Sequence, residues 1–151
     1  MQSRIETAVQ RFTNGHNCAQ AVFTTYAPSF GVGPSDALRI ATSFGGGMGR
    51  LQEVCGAVTG AFLAIGACCG MKQPDDKTAK DKTYGLVYEL GKRFASLHGS
   101  LLCRDLLGCD LSTEEGNARF KTQKLKDRKC VGYVREACKL LEEMLPEQAA
   151  V

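Results

Sequence analysis

Apolar residues recur along most of this chain at the three- and four-residue spacing of an amphipathic helix. The first stripe runs through Ile5, Ala8, Val9 and Phe12, and a second begins after Asn17, a residue type that caps helix starts. The same reasoning predicts helices over 5–12, 17–26, 35–41, 53–69, 76–98, 101–107 and 129–145. The segment 108–117 is expected to be a loop that contains a single helical turn.

Alternating strand patterns rich in β-branched residues are missing from the sequence. The pattern therefore predicts an all-α fold, a single-domain compact bundle of about six to seven helices with no sheet. A chain of 151 residues can bury a core of this kind without covalent cross-links. We expect residues 1–151 to form one helical, cysteine-rich domain.

The net charge and hydropathy of the chain then limit the classes of partner that the protein is expected to bind. A net charge of +3 is too small to indicate nucleic acid, and the basic cluster over 121–129 contains Asp127, which is typical of a solvated face. The apolar stretch over 54–71 is shorter than the about 20 residues of a membrane span and is rich in Gly, Ala and Cys. It predicts a buried helix. No apolar run follows the first charges of the chain, so a cytoplasmic location without a secretory leader is expected.

Glycines are concentrated around the predicted helix 53–69. Four of them, at 45, 46, 47 and 49, precede it with a spacing that matches neither the Walker motif nor the dinucleotide fingerprint. They predict a tight turn that uses positive φ and holds Cys55 in a fixed position. Gly56 and Gly60 lie one helical turn apart, so a neighbouring helix can approach closely there. Such a seam can also serve a homodimer.

Eight cysteines give the chain its candidate chemistry. Without a secretory leader, reduced thiols, metal ligation or redox chemistry are expected before static disulfides. No Cys-x-x-Cys pair occurs, so neither a thioredoxin-type motif nor a zinc knuckle applies. Any site must therefore collect thiols from separate segments.

Helix ends indicate which thiols these are. Cys18, Cys55, Cys103 and Cys130 all fall within or beside the first turn of a predicted helix. The positive end of the helix dipole favours thiolate there, and we expect it to lower the pKa of these four thiols. The remaining cysteines, among them three deep in helices or at helix C-termini, are assigned mainly to packing. Those three are Cys68, Cys69 and Cys138.

Five short segments occur in the order of a known family. They are CAQAV at 18–22, FGGGMGR at 44–50, VCGAVTG at 54–60, CRDLLG at 103–108 and KC at 129–130. Over about 17–145 the chain resembles the redox-active protein family named for its C_GCAxxG_C_C cysteine pattern. The four defining cysteines of that family correspond to Cys18, Cys55, Cys103 and Cys130. The glycine before the second cysteine is Val54 here, and the motif has the form Cys-Gly-Ala-x-x-Gly.

The resemblance implies a redox or metal role, and three hypotheses stay open. In the first, these cysteines carry thiol–disulfide or electron-transfer chemistry with an unidentified redox partner protein, which would make the protein a thiol-based oxidoreductase or electron carrier. In the second, the same four thiolates form a four-cysteine metal site for an Fe–S cluster or zinc. In the third, the chain is a non-catalytic helical scaffold with structural cysteines.

Several neighbours are candidate helpers of the thiols. His16, Arg50 and Arg104 are placed to supply positive charge near three of the four cysteines. Glu53, beside Cys55, is a candidate for an acid–base helper. His16 and His98 are also candidate ligands, although a solvent-facing or capping role is the default for such histidines.

Overall fold

A computed structural model describes residues 3–146 of the chain. Within that range the protein forms eight α-helices and no strand, and the predicted all-α fold is confirmed. The helices are α1 (Ile5–Thr13), α2 (Cys18–Tyr26), α3 (Pro34–Ala41), α4 (Gly56–Cys69), α5 (Lys77–His98), α6 (Cys103–Leu107), α7 (Glu114–Thr122) and α8 (Val131–Met144). A π-helical turn, Lys126–Cys130, leads directly into α8.

Side-chain caps fix several of these helix starts. At the start of α2, Asn17 and Gln20 form a reciprocal capping box with two 2.9 Å hydrogen bonds. Thr113 caps α7 by accepting a hydrogen bond from the Gly116 amide at 2.9 Å. Helix α7 begins inside the segment predicted to be a loop and continues beyond it. Its apolar periodicity is weak, so the cap and the acidic first turn were the only local indications of a helix.

The close approach predicted at the glycine seam occurs between α4 and α2 of the same chain. A Cβ atom placed on Gly60 would lie 2.7 Å from the Ala19 carbonyl oxygen, so only glycine allows the two backbones to meet. Around this contact the core is filled by fully buried side chains such as Val22, Ile65 and Phe94. Each contributes about 1.5–3 kcal/mol by burial. The homodimer remains a prediction.

The glycine turn before α4 is left-handed. Five consecutive residues, 46–50, have φ between 59° and 68°, and they include Met48 and Arg50. Left-handed backbone costs a non-glycine residue about 1–2 kcal/mol. Hydrogen bonds from Gln52 N to Gly46 O and from Glu53 N to Gly47 O, at 3.2 and 3.0 Å, close the turn. The predicted positive-φ turn is confirmed.

The apolar segment predicted to be a buried helix forms α4, which has one face in the core and the other half-buried. Across residues 3–146, no helix has both the length and the apolar character needed to cross a membrane.

Candidate functional site

Cys55 and Cys103 come to the same face because two short segments pair through a single antiparallel β-bridge. The bridge joins Val54 to Leu102. The Cys55 amide donates to the Leu101 carbonyl at 2.8 Å, and the Cys103 amide donates to the Glu53 carbonyl at 2.7 Å. Successive side chains alternate across such a bridge, so both cysteines leave it on the same side. Each is only 7% exposed.

The other two cysteines come from helical segments on either side of this pair. Cys18 is the first residue of α2, and its Sγ atom lies against Gly56, the first residue of α4. Cys130 ends the π-helical turn, directly before α8. Both residues are half-buried. Cys18, Cys55 and Cys103 lie at helix starts as predicted, whereas Cys130 lies where the π-helical turn continues into α8.

All four thiols line one cavity of about 380 Å³. As thiolates they would repel one another, and after burial this repulsion further raises the pKa of Cys55, Cys103 and Cys130. Such repulsion acts between every pair of the four, and Cys109 adds to it for Cys103 and Cys130. A site assembled from four separate segments of sequence is therefore a single cluster in space.

The expected low pKa of these thiols is wrong. Burial raises the pKa of Cys18, although amides that include those of Gly46 and Ala19 donate hydrogen bonds to its sulfur. Burial raises the pKa of Cys55 well above its ordinary value, that of Cys103 to about 11 and that of Cys130 to about 12. The helix dipole offers only about half a charge, and removing a thiolate from water costs more than that attraction returns.

The structure places the three basic side chains predicted to assist the thiols in different surroundings. His16 and Arg50 line the cavity with the cysteines. Arg104 does not, because its guanidinium pairs with the Glu53 carboxylate and donates to the Gln52 carbonyl oxygen at 3.1 Å. Glu53 is half exposed and is likewise absent from the cavity wall. The structure therefore places neither Arg104 nor Glu53 where it could assist a thiol inside the cavity.

Three further residues of the site were missed by sequence reasoning. Lys126 and Tyr133 line the cavity, four residues before and three residues after Cys130. Helical spacing around that cysteine could have indicated both. No local pattern in the sequence indicated that Gln52 belongs to the site. Its side-chain amide lies 3.9 Å from Cys103 Sγ, and the hydrogen bond lowers the pKa of a thiol that is 51 residues away in sequence.

The remaining cysteines lie outside the cavity wall. Cys138 is fully buried in α8, and Cys68 and Cys69 are half-buried at the end of α4. Cys109 packs against the small apolar cluster that contains Cys103, so it is the nearest of these to the site. All eight cysteines are free thiols.

His98, the second candidate histidine, packs between rings. Its ring lies 4.6 Å from that of Phe94 and 5.1 Å from that of Tyr133. The Nε2 atom is buried and has no hydrogen-bond partner. His98 is not part of the cavity wall, so the structure does not bring it to the thiols.

A metal site makes stricter demands than a shared cavity. Zinc bound only by cysteines needs four sulfurs at about 2.3 Å from one point. Over residues 3–146, no three side chains of Cys, His, Asp or Glu form a group that could hold a metal ion. The four thiols have the right chemistry for zinc or an Fe–S cluster, but as they are placed here they do not fit either.

Comparison with known proteins agrees with this cysteine arrangement. The model of one protein family, described as "Putative redox-active protein (C_GCAxxG_C_C)", matches residues 16–144, which include all four cavity cysteines. No curated protein and no solved structure matches the chain. The matched segment begins just before α2 and ends with α8, so it contains every helix that lines the cavity except α1. The chain therefore belongs to the C_GCAxxG_C_C family, whose description gives it a redox role.

Proposed function

We propose that the protein is a thiol-based redox protein in which two of the four cavity cysteines form a reversible disulfide. The observation that carries this proposal is the single cavity shared by Cys18, Cys55, Cys103 and Cys130. The proteins of this family are described by a redox role, and thiol–disulfide exchange is redox chemistry that cysteines alone can perform.

The chemistry balances without a further cofactor. One cavity thiolate attacks a disulfide of a second molecule, forming a mixed disulfide and releasing one thiolate from that molecule. A second cavity thiol loses its proton and attacks the mixed disulfide, which releases the other thiolate. The protein gives up two electrons and two protons, and the second molecule is reduced from a disulfide to two thiols.

The cavity cysteines pass through three states in this exchange: thiol, thiolate and disulfide. Burial affects the free energies of these states differently. A thiolate is charged and is penalised in the cavity, whereas a thiol and a disulfide are both neutral and are not. The raised pKa values of Cys103 and Cys130 therefore favour the two end states over the reactive intermediate. We infer that Cys130, a half-buried residue, reacts first, and that the buried Cys55 completes the exchange.

The test is to purify the protein without oxygen and to count its thiols before and after oxidation by a glutathione redox buffer. Eight thiols are expected in the reduced protein and six after oxidation, with mass spectrometry locating the disulfide between two of the four cavity cysteines. Iron and zinc are measured in the same sample. One cluster or one zinc per chain, with no disulfide formed, would replace this proposal with the four-cysteine metal site.

Two variants make the test specific. Cys55→Ala should abolish the loss of two thiols, because Cys55 is the buried thiol that we infer completes the exchange. Cys68→Ala is the matched control at the other end of the same helix and should leave the oxidation unchanged. If all eight thiols of the wild-type protein stayed reduced and neither iron nor zinc were bound, only the hypothesis of a helical scaffold with structural cysteines would remain.

A further inference from the structure

The charged side chains that line the thiol cavity all have the same sign. They are Arg50 and Lys126, beside which His16 also lines the cavity, and no Asp or Glu contributes to the wall. None of the three forms an ion pair with a carboxylate within residues 3–146. Because no acidic side chain neutralises them, these cations give the cavity an unbalanced positive field.

The cations are placed at different depths. Arg50 is exposed and projects from the left-handed turn at the edge of the cavity. Lys126 is half-buried, and its ammonium nitrogen lies 4.9 Å from the centre of the Phe12 ring. That ring is itself buried and lines the cavity, so the ammonium is held over an apolar surface and is partly shielded from water.

The rest of the wall is mostly apolar and aromatic. Its large side chains are Phe12, Leu106, Leu107, Leu111, Phe120 and Tyr133, and Asn17 and three glycines complete the lining. A volume of about 380 Å³ is near the lower end of the range for small-molecule sites, about 300–1,000 Å³. The cavity therefore suits a compact apolar body that carries a negative charge, and its size does not suit a folded protein domain.

We propose that the cavity binds a small organic anion with an apolar, ring-sized body, and that the redox substrate is a low-molecular-weight disulfide of this class. This inference rests on the proposed thiol chemistry and specifies its substrate. The ring contacts the aromatic wall, the anionic group lies near Arg50 and Lys126, and the disulfide faces the four sulfurs. The cavity cysteines supply the two electrons, and the substrate leaves as two anionic thiols.

The test compares two aromatic disulfides in single-turnover reactions. Dithiobis(nitrobenzoate) is anionic and dithiodipyridine is neutral, and each rate is divided by that of free glutathione with the same reagent. All variants carry Cys68→Ala and Cys69→Ala, which removes two half-buried thiols outside the cavity. We expect the normalised rate to favour the anionic disulfide and this preference to fall as salt is added.

Removing the two positive charges of the cavity tests more directly whether they bind the anionic reagent. Arg50→Gln combined with Lys126→Gln should slow the anionic reagent about tenfold and change the neutral one less than about twofold. Lys92→Gln is the matched control, because its ammonium also lies over a ring, that of Tyr88 at 5.8 Å, but does not line the cavity. It should leave both rates unchanged.

The outcomes separate this inference from the function on which it rests. Equal normalised rates for the two reagents, with two cavity thiols lost to each, would refute the anion site and leave the thiol chemistry intact. If the reagents formed only mixed disulfides with the cavity thiols, and no disulfide formed within the protein, both the anion site and the proposed thiol–disulfide function would be refuted. Oxidation by a protein disulfide, such as oxidised thioredoxin, but by neither small reagent would show that the substrate is a protein.

Discussion

The Sγ atom of Cys18 occupies the space in which a side chain at Gly56 would begin. A Cβ atom on Gly56 would overlap that sulfur and would lie 3.0 Å from the Phe44 carbonyl oxygen. The glycine that follows the second cysteine of the motif is thus required by the first cysteine. Their contact joins the start of α2 to the start of α4 and fixes two of the four thiols.

Replacing this glycine should therefore disturb the site. Gly56→Ala is expected to lower the free energy of unfolding by about 1–3 kcal/mol, because neither Cys18 nor the Phe44 carbonyl can move aside without repacking. The same change should raise the rate at which iodoacetamide alkylates Cys18, since the displaced thiol becomes more exposed. Urea denaturation and mass spectrometry measure the two effects.

Gly66→Ala is the control within the same helix. A Cβ atom there meets no atom within 4 Å, and the helix gains about 0.5–1 kcal/mol from the better helix former. Equal effects of the two substitutions on stability would contradict the proposed contact.

The buried thiols should make stability fall at alkaline pH. The pKa of Cys103 is raised by burial from its ordinary value of 9.0 to about 11. Between pH 9 and 11 the unfolded chain loses this proton while the folded protein keeps it, so the contribution is fully present below pH 9 and is lost as pH rises toward 11. The loss is up to about 1.4 kcal/mol per pH unit for each such thiol.

The measurement is urea denaturation of the wild type and of Cys103→Ala between about pH 7 and about pH 11. The difference between the two unfolding free energies should be constant below about pH 8 and should shrink above about pH 9. A difference that stays constant over the whole range would show that the cavity does not suppress ionisation of Cys103.

The side chain of Gln52 should stabilise the site by connecting two loops. Its amide nitrogen donates to the Cys109 carbonyl at 2.8 Å, and its oxygen accepts from the Leu111 amide at 2.8 Å. Gln52→Met would leave both backbone groups without this partner, at a cost of about 1–3 kcal/mol. Alkylation of Cys103 should also slow, because its pKa rises further when the amide donor is lost.

Gln10→Met is the control for this substitution, because Gln10 is exposed on α1. It should change neither stability nor the alkylation of Cys103 measurably. If Gln52→Met had no larger effect than Gln10→Met, the hydrogen bonds of Gln52 would not contribute to holding the site.

Cys138 should behave as a core residue and not as a redox thiol. It is completely buried in α8, beside the Tyr26 hydroxyl that donates to Glu142 at 2.8 Å. Cys138→Ala is expected to cost about 1–2 kcal/mol through the small cavity it leaves, as measured by urea denaturation. The oxidation of the four cavity thiols should persist, and its loss in this variant would contradict the assignment to packing.

Local features of the sequence determined most of the helices. Apolar spacing located seven of the eight α-helices within residues 3–146, and the Asn17 cap marks the start of one of them correctly. Only a single turn, capped by Ser112, was expected where helix α7 forms, because its apolar stripe is weak; its cap is Thr113. Caps and periodicity depend on residues within one or two turns, which is why they can be read directly from the chain.

The sequence by itself also selected the four cysteines, through their predicted positions at helix starts and through the family pattern. Only the tertiary structure decided their protonation and their neighbours. Burial raises the pKa values that the helix dipole alone would lower, Arg104 pairs with Glu53 outside the cavity, and Lys126 lines the cavity in its place. Desolvation depends on everything that surrounds an atom. Segments far apart in sequence enclose these sulfurs, so no local pattern could have shown their environment.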